Sequence, residues 1–103
     1  MADNFYWTNR KFRLQRHLHV TQRIMVRLYD IADGLTELQA AIKGVSVGGH
    51  EYITEYHEIG KVFDGLEAYG KGKFIQDSLP FMSPADREFI KTATAPQDLG
   101  ERS

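Results

Sequence analysis

Leu14, Thr21, Leu28, Leu35 and Ile42 recur every seven residues, with Leu18, Met25 and Ala32 between them and Ile24, Ile31 and Leu38 alongside. At about 100° per residue these positions fill an arc of roughly 140°, the apolar stripe of an amphipathic helix. The spacing predicts a helix over 12–43. Gly44 would sit at its C′ position and Lys43 in the last turn, where the helix dipole favours a cation. A second signal runs through the same residues. His19 to Tyr29 alternates like a strand at Val20, Ile24, Val26 and Leu28, and Asp33-Gly34 has the composition of a turn. The seven-residue period covers more of the chain and sets the expectation.

Tyr52, Tyr56, Ile59, Phe63 and Leu66, spaced 4-3-4-3, predict a second helix over 50–69, closed by Gly70-Lys71-Gly72-Lys73. The short connection at 44–49 then makes the two helices an antiparallel hairpin. Residues 74–82 are an apolar segment. Ser83 as N-cap, Pro84 at N1 and Asp86 at N3 start a short third helix, so 74–92 holds that segment and the helix. Residues 1–11 read as an N-terminal arm and 93–103 as a tail expected to fray. The expected fold is therefore mainly α: a long antiparallel helical hairpin in a single domain, 1–103. At 1.5 Å per residue the first helix would span about 48 Å and the second about 30 Å. Leu14, Leu18, Thr21 and Met25 would then outrun the second helix. Their cover would be the apolar segment, another copy of the chain, or both, which predicts a homo-oligomer.

Composition narrows the chemistry. The chain has 103 residues, 42% of them apolar and none of them cysteine, which excludes disulfides and thiolate chemistry. No apolar run reaches the roughly 18 residues of a membrane span, and the first residues lack the order of a signal peptide. The expectation is a cytoplasmic protein with no membrane partner. His50-Glu51-Tyr52-Ile53-Thr54 departs from the zincin pattern at its last position, and no Glu-x-x-His pair occurs, so no metal site is expected. Ser46 stands outside a nucleophile elbow, and Gly70-Lys71-Gly72-Lys73 lacks P-loop spacing. The reading is a non-enzyme with no catalytic residue and no cofactor.

The net charge of −1 conceals a basic first quarter and an acidic middle. On the expected first helix Arg13, Arg16, Arg23 and Arg27 share an arc of about 80°. Glu51, Glu55 and Glu58 would lie at the far end of the hairpin, leaving only Glu67 near Arg27. Arginine's planar fork suits phosphate and carboxylate, so Arg13, Arg16 and Arg23 are candidate anion ligands. Trp7, Phe12 and Phe74 are candidate stacking or packing partners. Three partners fit such a stripe: an acidic surface of another subunit, a small anionic ligand, or nucleic acid. A pI of about 6.4 ranks nucleic acid last.

Residues 74–90, with Phe74-Ile75-Gln76-Asp77, then Leu79-Pro80, then Asp86-Arg87-Glu88-Phe89, resemble a segment near the C-terminus of small, mostly uncharacterised phage-encoded proteins. The resemblance implies a phage setting and hence a host-cytoplasmic address. Compact non-enzymes there act as anti-defence inhibitors, including oligomeric sponges for signalling nucleotides, or as minor virion parts. Arg87, in the first turn of the third helix, joins the candidate anion ligands. The functional expectation is a homo-oligomer that sequesters an anionic, cyclic nucleotide. The alternatives are a scaffold or minor virion protein using the first helix as its seam, and a single-stranded nucleic-acid binder.

Overall fold

Ile24, Val26 and Leu28 stand two residues apart, and so do Leu38, Ala40 and Ile42, at mirror-image distances from Asp33. In the computed structural model, which describes residues 14–100, this mirror is the organising feature. β1 (Gln22–Ala32) and β2 (Leu35–Val45) form an antiparallel hairpin. Ile24 lies opposite Ile42, Val26 opposite Ala40 and Leu28 opposite Leu38. Gly34, at φ 75°, turns the chain between the strands in the left-handed region that glycine enters without a Cβ penalty. A register shift between Asp30 and Ala32 leaves Ile31 as the extra residue.

The expected helix over 12–43 is thus replaced by a hairpin, and the fold is α+β rather than mainly α. The reason lies in the periods. Seven is odd, so on a strand the heptad positions alternate between faces, whereas the two-residue step keeps Ile24, Val26 and Leu28 on one face. Val20, Thr21, Ile24, Val26 and Ile31 are also β-branched, which favours the extended chain. Lys43 and Gly44 end no helix: both lie within β2, where Gly44 pairs with Gln22 on one side and Tyr52 on the other.

β3 (Glu51–Ile53) and β4 (His57–Glu58) pair with β2 on the side away from β1. The second helix therefore begins not at 50 but at Ile59: α1 spans Ile59–Gly70. The Glu58 carboxylate caps it, accepting from the Gly60 and Lys61 amides at 3.0 and 2.9 Å. Glu51, Glu55 and Glu58 consequently share no helical face. α2 (Ile75–Ser78) interrupts the apolar segment, and α3 (Pro84–Thr92) starts where Ser83, Pro84 and Asp86 place it, with Ser83 Oγ accepting from the Asp86 amide at 3.2 Å.

Ile59, Val62, Phe63 and Leu66 of α1, with Leu79, Met82, Phe89 and Ile90, cover Ile24, Ala40 and Ile42 at the base of the sheet. Of the residues expected to project uncovered, Leu14 is buried in this core and Leu18 packs against it, whereas Thr21 is exposed and Met25 half-buried outside it. Residues 93–100 of the tail expected to fray are also held. Ala93 takes a left-handed φ of 60°, and α4 (Pro96–Gly100) follows with Asp98 buried. Among the described residues no helix is long and apolar enough to cross a membrane. The expectations for the arm at 1–11 and for Trp7, Phe12 and Arg13 lie outside the described residues.

Candidate functional site

The helices cover only the base of the hairpin. Along the same face, past Ile24 and Ile42, Val26 is 44% exposed, Leu28 66% and Leu38 44%; near the tip the bulge residue Ile31 is exposed too, and so is Leu35 on the face of Glu37 and Gln39. β1 is also the edge of the sheet: among the described residues its outer side has no strand partner. The opposite face is buttressed. The Arg27 guanidinium carbon lies 3.9 Å from the Tyr56 ring centre and 4.4 Å from that of Tyr29. Arg27 Nε donates to Gln39 Oε1 at 3.0 Å, and Gln39 Nε2 donates to Glu37 Oε2 at 2.8 Å. The result is an arm stiffened on one face, bare and apolar on the other, and open along one edge.

The arginines expected to form one stripe are dispersed. Arg27 is engaged in the buttress just described. Arg23 faces away from the helices and shares a hollow with Lys43 and Glu51. Arg16 lies in a short 3-10 turn, Gln15–His17. Arg87 is half-buried on α3. A hollow of about 250 Å³ is lined by Arg16, His17, His19, Tyr69, Ile90 and Lys91, and one of about 240 Å³ by Ile75, Gln76, Pro84, Arg87, Glu88 and Lys91. Lys91 belongs to both. Among the described residues Arg16, Arg87 and Lys91 make no ion pair within 4.0 Å. Phe74 is 74% exposed and lines neither hollow, so the structure does not bring it to these cations.

A polar cluster that the sequence reading did not connect joins the β2–β3 loop to α4. Ser46 Oγ donates to Asp98 Oδ1 at 2.7 Å, His50 Nδ1 lies 2.7 Å from the same oxygen, and the Ala95 amide donates to Oδ2 at 2.9 Å. The Ala95 hydrogen bond, then those of His50, Ser46 and the Gly48 backbone, lower the Asp98 pKa to about 2. Ser, His and Asp are the residues of a hydrolytic triad, but in a triad the hydroxyl addresses the imidazole. Here the Ser46 hydroxyl addresses the carboxylate, and the cluster is a staple. Tyr52 makes a second tie. Its hydroxyl donates to Asp86 Oδ1 at 2.5 Å, while the Glu55 amide donates to Oδ2 at 3.0 Å. Burial first, then the hydrogen bond and charge of Asp86 and the charge of Glu55, raise the Tyr52 pKa well above its ordinary value. This tie pins β3 to α3, and the Tyr52 ring rests on Phe89 with centroids 4.8 Å apart.

Comparison with known protein families, with curated proteins and with solved structures finds no match.

Proposed function

We propose that this chain is a non-catalytic assembly protein that joins copies of itself through the β1–β2 arm. The observation that carries the reading is the bare apolar face of Val26, Leu28 and Leu38 beside an open strand edge. An edge strand presents unpaired backbone donors and acceptors, and natural proteins blunt or cover such an edge when it is apolar. Covering a leucine side chain is worth roughly 1.5 to 3 kcal/mol.

The occupant best suited to that edge is a second copy, because β1 is complementary to itself. Antiparallel pairing about a two-fold axis at Val26 sets Ile24 against the partner's Leu28, Arg23 against the partner's Tyr29 and Gln22 against the partner's Asp30. No like charges meet. Moving the axis by one residue either opposes Arg27 to the partner's Arg27 or sets Arg23 against it, which disfavours both neighbouring registers. The resemblance of residues 74–90 supports a phage setting, where such a protein would serve as a scaffold or minor virion component.

Sedimentation of the wild type at micromolar concentration should give a dimer or larger species. Leu28→Glu and Leu38→Glu should give monomers whose circular dichroism matches the wild type, because neither side chain contributes to the core. A monomeric wild type, or variants that remain assembled, would overturn the proposal.

A further inference from the structure

The two hollows flanking Lys91 lie among the helices and the turn before β1, so they require no part of the arm. We propose that together they bind a small phosphorylated ligand carrying at least two linked phosphate groups, of the nucleoside diphosphate or triphosphate kind.

Arg87 and Lys91 are four residues apart on α3 and so share its face, a spacing at which like charges repel. Arg16, from the other end of the chain, lines the hollow of about 250 Å³ with Lys91. Glu88 is the one carboxylate among the described lining residues, which leaves their combined charge positive. Cations gathered without ion pairs are a cost to the fold that an anion would remove.

The walls are fixed. His19 Nε2 lies 3.0 Å from the Lys91 carbonyl oxygen, and since a carbonyl only accepts, this nitrogen donates and holds the loop against the end of α3. Leu14, fully buried, anchors the turn that carries Arg16. The exposed His17 ring lies over Gly70, whose missing Cβ leaves room for it.

The chemistry of the lining selects the ligand. A guanidinium grips phosphate with two parallel hydrogen bonds, and an ammonium acts as a point charge. Arg16 serves one hollow, Arg87 the other and Lys91 both, which suits two linked phosphoryl groups better than one. Tyr69 supplies an aromatic wall on which a base can rest. Each hollow is smaller than the roughly 300 to 1,000 Å³ of a drug-sized site. With a net charge of −1 the chain lacks the basic track that a nucleic-acid backbone follows.

The test is a titration of isotope-labelled protein with pyrophosphate, adenosine diphosphate, adenosine monophosphate, adenosine and a single-stranded oligonucleotide, followed by amide shifts. Pyrophosphate and the diphosphate should bind and move the resonances of Arg16, Tyr69, Arg87 and Lys91. The monophosphate should bind more weakly and adenosine should not bind. Lys91→Gln, an exposed change, should weaken diphosphate binding about tenfold or more, since one charged contact is worth at least that factor. Lys43→Gln, on the far face of the sheet, should leave it unchanged. The monomeric Leu28→Glu variant should bind as the wild type does, which separates this site from the assembly arm. The proposal is overturned if the diphosphate causes no shifts, if Lys91→Gln binds normally, if the monophosphate binds as tightly as the diphosphate, or if the oligonucleotide binds more tightly than either.

Discussion

Asp98 gathers donors from Ser46, His50 and Ala95 on one carboxylate, and so ties the β2–β3 loop to the last described helix. Its pKa falls from an ordinary 3.8 to about 2 in the folded chain. A carboxyl whose pKa is lowered by folding contributes stability above its ordinary value and loses it as pH falls towards the lowered one. The staple should therefore hold at neutral pH and open between about pH 4 and pH 2. Asp98→Asn should open it at neutral pH, because the amide nitrogen would face donors that need an acceptor. Amide exchange at Ala95 and Val47, corrected for intrinsic rates, should accelerate in this variant, and unchanged protection would show that the staple holds nothing. Little of this site was legible in the sequence. Ser46 and His50 are near neighbours, but Asp98 is 52 positions from Ser46, and no periodicity links residues across such a gap. The Ser83 cap was legible because its partner, Asp86, is three residues away.

At the scale of elements, one stretch of chain carried two periods, and the shorter was the true one. Leu14, Leu28 and Ile42 fit a helical stripe only while Asp33-Gly34 is read as mid-helix. With a turn there, Leu38, Ala40 and Ile42 become the reflection of Leu28, Val26 and Ile24. That reflection was present in the sequence, whereas the buttress of the arm was not. It depends on Tyr56 arriving from the β3–β4 connection to meet Arg27. A two-stranded ribbon alone is marginal in water, so the buttress should decide how firmly the outer arm is zipped. Arg27→Ala removes contacts to two rings and a hydrogen bond, worth about 1 to 2 kcal/mol locally. Amide exchange should quicken across the outer parts of β1 and β2 while Ile42 and Phe63 stay protected. Equal protection in the variant and the wild type would mean that the strands need no such support.

The whole molecule measures 49 × 33 × 23 Å, elongated for a chain of this length. If copies pair through the arm, folding and association are linked, and a species bound only in the folded state gains stability by mass action. The melting temperature of the wild type should rise with protein concentration, and that of Leu28→Glu should not. A concentration-independent wild type would break the link. The hairpin also has a consequence in time. Its strands close on each other across one tight turn, whereas Gln22 must find Phe89 from 67 positions away and Ser46 must find Asp98 from 52. Hairpins zip in roughly 1 to 10 μs, while distant closures wait on a slower search. The hairpin's strands are thus expected to meet before the globule is shut. If neighbours compete with the helices for Ile24 and Ile42 in the interval between, the yield of correctly folded protein should fall as refolding is carried out at higher concentration.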